Sequence, residues 1–355
     1  MMVNRMPYVL MAGPDLSMQG GIAAVASGLI SGGLGDVCNL QYVSTVCEGS
    51  RIKKSLKYIQ GVSQCKKAIS SADVVHIHVS VRGSFKRKYE IARIAKSKGK
   101  SLVLHEHNGE FAEIFESEDD GYRAKVREFF GWADTVIVLS EECRDYFSEN
   151  VCDARKIMVM HNAVALPRVP ADPCTQQNVL FLGRLGARKS PDVLLHAAKI
   201  LGARFPEIRY RFAGDGDIEE YKALAEKLGV ADQCDFLGWV KGDEKERLVH
   251  ESGIFCLPSR HEGMPMSMLE MMSYGLPCVM TPVGGIPQVI RDGKNGCMIP
   301  VGDSDALAGC LARLLASPEL RFRIGAEARR NVERDFNIGT NVIKLSNLYQ
   351  ELLCR

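Results

Sequence analysis

The sequence predicts an α/β protein of two doubly wound domains, and three observations carry that reading. Short apolar runs alternate from end to end with amphipathic stretches of helical period, the pattern of parallel sheets covered by helices on both faces. The alternation falls into two series, which suits a chain of 355 residues at about 100–200 residues per domain. Between them lies residues 163–177, AVALPRVPADPCTQQ, where three prolines and polar residues interrupt the periodicity, as a domain boundary does.

In the first half, strands are expected at Tyr8–Ala12, Leu40–Ser44, Val74–Val79, Leu102–His105, Thr135–Leu139 and Ile157–Met160, with amphipathic stretches such as Ile22–Ile30 and Ser84–Ala95 between them. The second half repeats the pattern at Val179–Leu182, Tyr210–Ala213, Cys234–Leu237, Ile254–Leu257, Cys278–Met280 and Cys297–Ile299. A final amphipathic helix is expected over Phe336–Leu353, its apolar positions running from Phe336 through Leu345 to Leu352. The domains are therefore set at 1–165 and 166–335, with a terminal helix at 336–355.

Composition narrows the class. Hydrophobic residues make up 46% and charged residues 25%, the proportions of an ordinary globular protein. None of the twelve cysteines sits in a Cys-x-x-Cys pair, and Cys256, Cys278 and Cys297 lie inside apolar runs; this is free-thiol core usage, not a zinc site or a disulfide framework. No run approaches the roughly 18 apolar residues that span a bilayer, and the first strand begins within ten residues without a signal-peptide layout. A cytoplasmic protein is expected.

The net charge of +2 hides an asymmetry. Residues 1–100 hold 15 Lys and Arg against 5 Asp and Glu, so they carry +10 and the remainder −8. The cations cluster in Arg51–Lys67 and Arg82–Lys100. In the first cluster Ile52, Leu56, Ile59, Val62 and Ile69 recur at helical spacing, so the expectation is an amphipathic helix with a basic outer face. Such a face is either simply solvated or a patch for an anionic membrane surface. Nucleic acid is excluded as a partner, because no groove-reading or aromatic-interleaved motif accompanies the charge.

The chemistry concentrates in HEGMPMSMLE, residues 261–270, between an apolar strand and the helix stop Tyr274-Gly275. A glycine loop opening a helix binds anions, because free backbone N–H groups and the helix dipole point at the ligand. This loop also carries Glu262, with Glu270 eight positions on. Carboxylates suit such a place if they accept hydrogen bonds from hydroxyls, so the ligand should hold both phosphate and sugar. That combination is a nucleotide-sugar. Gly183-Arg184-Leu-Gly-Ala-Arg188-Lys189, after the first strand of the second half, adds a turn whose cations suit a diphosphate. Gly20 and Gly21 open a helix after the very first strand, where backbone can approach a ligand.

HEGMPMSMLE, followed by YGLPCVMTPVGGIPQVI, resembles the Glu–seven residues–Glu signature of glycosyltransferase family 4, and the likeness extends through GRLGARKSPDVLLHAA, FAGDGD and FLGWV. The resemblance implies the GT-B fold: two Rossmann-like domains facing a central cleft, with the C-terminal helix crossing back to the N-terminal domain. It implies a retaining transfer of a hexose-type sugar from a nucleotide-diphosphate-sugar to a saccharide or lipid-linked acceptor, as in bacterial envelope polysaccharide synthesis. Arg184 and Lys189 then contact the diphosphate, with Arg188 as competitor for the lysine's role. Glu262 faces the sugar hydroxyls and Glu270 the ribose, while Gly263, Met264 and Met266 approach sugar or phosphate and Gly214 lines the nucleotide pocket. His107 matches best the histidine placed near the anomeric region; His105 is the alternative and Glu106 a third candidate, whereas His76 and His78 read as structural. No Asp-x-Asp of the type that carries Mn²⁺ in GT-A transferases is read in the chain, so a metal-independent reaction without a cofactor is expected. Two rivals remain open: a nucleotide-sugar epimerase of similar fold, and a catalytically silent nucleotide-sugar-binding partner of a polysaccharide complex.

Overall fold

The computed structural model describes residues 5–354. Among them, twelve strands form two six-stranded sheets in which every pair is parallel. The chain divides into two units. One comprises Met1–Ala163 with Ile338–Arg355, the other Val164–Asn337. Val164 belongs to the second because its N–H donates to the Phe336 carbonyl at 2.9 Å and it bridges Asn337.

The first sheet holds β1 (Tyr8–Gly13), β2 (Asn39–Ser44), β3 (Val74–Val79), β4 (Ser101–Glu106), β5 (Thr135–Val138) and β6 (Ile157–Val159), in spatial order β2-β1-β3-β4-β5-β6. All six residues of β3 are buried, as expected of a central strand covered on both faces. One face packs Val75, Ile77, Leu102 and Leu104 against Ile91, Ala92 and Ala95 of the helix Gly83–Ser97. The opposite face of β3 and β4 carries Val74 and Val103 together with three imidazoles, His76, His78 and His105, buried to 1% exposure or less. The helix Ile338–Leu353 belongs to this unit and is pinned there by bonds that include Tyr349 Oη to His76 Nδ1 at 2.5 Å, Asn341 Nδ2 to the His161 carbonyl at 2.8 Å, and Ser101 Oγ to the Leu352 carbonyl at 3.4 Å.

The second sheet holds β7 (Val179–Leu182), β8 (Tyr210–Ala213), β9 (Cys234–Gly238), β10 (Ile254–Leu257), β11 (Cys278–Met280) and β12 (Cys297–Met298), in order β12-β11-β10-β7-β8-β9. That is the dinucleotide-fold order read from its far edge, and the strand order reverses between β7 and β10. Its core joins Phe181, Phe212 and Phe255 to Met268, Leu269 and Met272 of the helix Met266–Tyr274. Local chemistry sets the helix ends. Pro191 opens Pro191–Leu201, and Asp303 caps Ser304–Ala316 by accepting from Ala306 N at 2.8 Å.

One sequence expectation is overturned. The basic segment does form a helix, Arg51–Ile69, capped by Ser50, but its apolar stripe does not face inward as a whole. Ile69 is buried, whereas Ile52, Leu56 and Ile59 are 74%, 63% and 64% exposed. The inward face is instead Gly61, Cys65, Ala68 and Ile69. Gly61 sets this phase: a Cβ there would lie 2.7 Å from the Ser44 carbonyl oxygen, so the helix presses its glycine against the end of β2. Rotation by that contact turns the Ile52 stripe to the outside.

Candidate active site

Ligands of an open α/β sheet bind beyond the carboxyl ends of its strands, where the strand order reverses. In the second unit the loops leaving β7 and β10 flank that point. Lys189, from the first loop, forms an ion pair with Glu262 from the second, and Ser259 Oγ donates to the same carboxylate oxygen at 2.6 Å. Glu262 is 7% exposed, so its charge is held by two donors in a partly dehydrated place. The β10 loop is fixed from both sides. Thr281 Oγ1 donates to the Ser259 carbonyl at 2.5 Å, and Gly285 N donates to the Gly263 carbonyl at 2.7 Å. Gly284 makes that approach possible: its φ is +54°, and a Cβ would fall 1.9 Å from the Glu262 carbonyl oxygen.

The β7 loop is ordered by its own turn. Lys189 N and Ser190 N both donate to the Gly186 carbonyl, at 3.0 and 3.2 Å. Arg188, the competitor for the lysine's role, turns its Nε to the His261 carbonyl at 3.1 Å, so it braces the β10 loop while Lys189 reaches the carboxylate. Arg184 is open to solvent, 3.6 Å from Asp215 with 70% of its side chain exposed. Gly183 N donates to the Ala213 carbonyl at 3.0 Å. Gly214 packs on this turn, since a Cβ would sit 1.9 Å from the Gly183 carbonyl oxygen.

The helix Met266–Tyr274 opens without a side-chain cap bond; Met268 N donates to the Pro265 carbonyl at 3.1 Å, and the Met266 and Ser267 N–H groups ahead of it are placed to meet an anion. Met266 stands at its first position, after buried Met264 and Pro265. Glu270, one turn deeper, is half-buried and accepts from Lys245 Nζ at 3.1 Å. Sequence reasoning missed three of these partners. Ser259 had a signal, standing in the loop at the strand's end; Lys245 and Asp215 had none, because only folding brings them to Glu270 and Arg184.

Two Asp-x-Asp triplets do occur, Asp215–Asp217 and Asp303–Asp305, and the sequence reading overlooked them. Asp215 pairs with Arg184, and Asp303 serves as a helix cap. The one group of His, Cys, Asp or Glu side chains close enough to hold an ion, among the described residues, lies elsewhere, at His76, His78 and His105.

The first unit is described by itself. Gly20, at φ +134°, precedes the helix Gly21–Leu29 after β1, where the strand order reverses between β1 and β3. His107 follows β4; its N–H donates to the Val79 carbonyl at 3.1 Å and its Nε2 lies 2.8 Å from His78 Nδ1. Burial lowers the His107 pKa to about 3, so it is a neutral imidazole. It is partly exposed, whereas His105 is 1% exposed and makes no side-chain hydrogen bond. Glu106 is fully buried, and both of its oxygens accept from Asn108 N at 2.8–2.9 Å. Burial pushes its pKa up to about 8. Of the three, His107 alone can reach a ligand from solvent.

Comparison with known proteins agrees with this geometry. The family described as glycosyl transferases group 1 matches residues 166–331, and glycosyltransferase family 4 matches residues 39–168. The putative glycosyltransferase EpsD of Bacillus subtilis is 28% identical over 307 residues, covering 81% of this chain and 79% of its own length. The UDP-Gal:alpha-D-GlcNAc-diphosphoundecaprenol alpha-1,3-galactosyltransferase of Escherichia coli is 27% identical over 354 residues, covering 92% and 87%. Among solved structures, sucrose-phosphate synthase of Thermosynechococcus elongatus superposes with a TM-score of 0.77 at 17% identity, covering 99% of this chain and 100% of its own. HepE of Anabaena, in complex with UDP-glucose, gives 0.73 at 18%, covering 96% and 100%. The structural likenesses establish the GT-B fold, and the two family matches, running in succession from residue 39 to residue 331, make this chain a glycosyltransferase of the group 1, family 4 type.

Proposed function

We propose that this glycosyltransferase moves a hexose-type sugar from a nucleotide-diphosphate-sugar to a saccharide or lipid-linked acceptor, with retention at the anomeric carbon and without a catalytic metal. The observation that carries the donor reading is the pairing of Lys189 with Glu262 across the reversal point of the second sheet. A diphosphate entering there competes for Lys189 and finds Arg184 exposed beside it. The freed Glu262 carboxylate, still held by Ser259, then accepts from sugar hydroxyls. Glu270 has lone pairs left beside its bond to Lys245 for a ribose diol. Charge builds on the departing diphosphate as the glycosidic bond breaks, so cations aimed there favour the transition state over the ground state. The family resemblance implies a same-face reaction in which the leaving phosphate takes the acceptor's proton. For His107 we propose the role that the family resemblance gives it. HepE, solved with UDP-glucose, supports the donor class.

The acceptor is proposed to be lipid-linked and met at an anionic membrane surface on the inner side of a bacterial envelope. The Escherichia coli relative is named for a diphosphoundecaprenol acceptor, and the helix Arg51–Ile69 displays Ile52, Leu56 and Ile59 among exposed Arg51, Lys53 and Lys54. No helix among the described residues is long and apolar enough to cross a membrane. The test is a transfer assay with a panel of UDP-, GDP- and ADP-sugars against a diphospholipid-linked sugar, the anomer of the product read by nuclear magnetic resonance. Product with the donor's anomeric configuration is expected. An inverted product refutes retention, and donor epimerisation without transfer selects the epimerase.

A further inference from the structure

The face of the first sheet beneath the terminal helix is lined with imidazoles that the transfer site does not use. His78 of β3 pairs in register with His105 of β4, and His76 stands two residues earlier on the same face. Their rings gather with centroids 4.9 Å apart for His76–His78, 5.1 Å for His78–His105 and 5.5 Å for His76–His105. A close-packed core would ordinarily fill such positions with aliphatic side chains, as it does on the other face of the same two strands. Three buried imidazoles bring six ring nitrogens into a region without solvent, and buried polar groups in folded proteins are hydrogen-bonded.

Here most are not. His76 Nε2, His78 Nε2 and both ring nitrogens of His105 have no hydrogen-bond partner. The two that do are the outward ones: His76 Nδ1 meets Tyr349 Oη at 2.5 Å, and His78 Nδ1 meets His107 Nε2 at 2.8 Å. This division is what metal-binding histidines show, one nitrogen anchored by a neighbour and the other left for the ion. One ligand nitrogen from each of the three residues lies within 4.8 Å of the other two.

We propose that His76, His78 and His105 form a structural site for a late first-row divalent ion of the Zn²⁺ class, held by His76 Nε2, His78 Nε2 and one nitrogen of His105. The donor set selects the class. Three imidazoles with no carboxylate among them suit Zn²⁺, Co²⁺ or Ni²⁺ and not Mg²⁺ or Ca²⁺, which take oxygen. Zn–N bonds of about 2.0–2.1 Å put the nitrogens of a tetrahedral site about 3.4 Å apart. The rings therefore close on the ion by about 1–1.5 Å, within reach of side-chain rotation, and one water carried in with the ion completes the four-coordinate set. The ion would rivet β3 to β4 beneath the terminal helix. It would also act on His107: coordination through His78 Nε2 places the proton on His78 Nδ1, which donates to His107 Nε2 and leaves the His107 proton on Nδ1.

The test uses the full chain, stripped by prolonged dialysis against dipicolinate, then titrated with Co²⁺ and separately with Zn²⁺. One equivalent of Co²⁺ should give the visible d–d bands of a four-coordinate nitrogen site, and one equivalent of Zn²⁺ should bleach them and raise the thermal midpoint, because an ion that binds only the folded state stabilises it. His105→Leu and His76→Phe should abolish the bands; His196→Ala, on the surface of the other unit, should not. If the stripped wild-type chain gives no four-coordinate bands, the proposal is overturned whatever the variants do. Bands that persist in both His105→Leu and His76→Phe also overturn it, since the ion then sits elsewhere. The wild-type spectrum keeps the proposal falsifiable even if a variant fails to fold.

Discussion

Lys245 Nζ lies 3.1 Å from Glu270 Oε1, so the carboxylate that our reading assigns to the ribose already has a partner in the free protein. The two readings of Glu270 separate by experiment. A carboxylate has about four lone-pair sites and can serve Lys245 and a diol together. Glu270→Ala should therefore weaken nucleotide-sugar binding by roughly 1.5–3 kcal/mol for each charge-assisted bond lost, while Lys245→Met changes affinity far less. Calorimetric titration with the preferred donor reads both. Equal affinity in Glu270→Ala and the wild type, with circular dichroism unchanged, would leave Glu270 as a surface ion-pair partner only.

Lys189 and Glu262 should couple in stability as well as in turnover. Removing Lys189 alone leaves a carboxylate at 7% exposure with Ser259 as its remaining side-chain donor, and an uncompensated buried charge costs about 1–3 kcal/mol or more. Lys189→Ala should therefore lower the thermal midpoint, and adding Glu262→Gln should recover part of the loss. In the assay, Lys189→Ala and Arg184→Ala should cut kcat more than they raise the donor dissociation constant, because diphosphate charge grows toward the transition state. A rise in KM at constant kcat would instead assign both cations to ground-state binding.

Much of this was legible in the sequence, for reasons that residues make clear. Val74–Val79, Val179–Leu182, Tyr210–Ala213 and Ile254–Leu257 are strands at the residues the sequence predicts, because strands of a sheet covered on both faces read as short, mostly apolar runs. The loops carrying Lys189 and Glu262 were legible because glycine and proline punctuate them. Lys245, Asp215 and the Tyr349–His76 bond were not, since their partners lie 25 to 273 residues away and no local pattern encodes them. The helix Arg51–Ile69 was misread in phase, because periodicity marks an apolar stripe without saying which side the core is on; Gly61, which decides it, looks like a blemish in the sequence.

Gly284 offers a test of how far the site depends on loop contact. At φ +54° and with a virtual Cβ 1.9 Å from the Glu262 carbonyl oxygen, Gly284→Ala must push the β11 loop away from the β10 loop. Strain at left-handed φ and overpacking each cost on the order of 1–3 kcal/mol. Both the thermal midpoint and kcat should fall, whereas Gly293→Ala, at φ +71° with nothing within 4 Å, should lose stability and keep kcat. Wild-type turnover in Gly284→Ala would show that the contact does not position Glu262.

Brief addition of EDTA to the assay should leave the initial rate unchanged, because Lys189 and Arg184 supply the positive charge that Mg²⁺ or Mn²⁺ provides elsewhere. A rapid loss restored by Mg²⁺ or Mn²⁺ would contradict the metal-independent reading. Slow loss of stability under prolonged chelation is a different result and belongs to the histidine site.

The exposed stripe on the helix Arg51–Ile69 changes what membrane binding should look like. Charge alone gives about 1 kcal/mol per Lys or Arg near an anionic surface, and this attraction fades as the Debye length falls from about 10 Å at 0.1 M salt to about 3 Å at 1 M. Ile52, Leu56 and Ile59, exposed by 74%, 63% and 64% on one side of the helix, add a part that salt does not screen, since burying an aliphatic side chain gains about 1.5–3 kcal/mol. The protein should therefore pellet with phosphatidylglycerol vesicles at low salt and be released only in part at high salt. Replacing Lys53, Lys54 and Lys57 by Gln should weaken the salt-sensitive fraction. Replacing Ile52, Leu56 and Ile59 by Gln should remove the salt-resistant one while leaving the thermal midpoint in place, because those side chains contribute little to the core. Neither triple variant should change donor affinity, since Arg184, Lys189, Glu262 and Glu270 lie in the other unit. Full release of the wild type at high salt would reduce the stripe to a solvated face, and failure to bind anionic vesicles at any salt would point to a soluble acceptor.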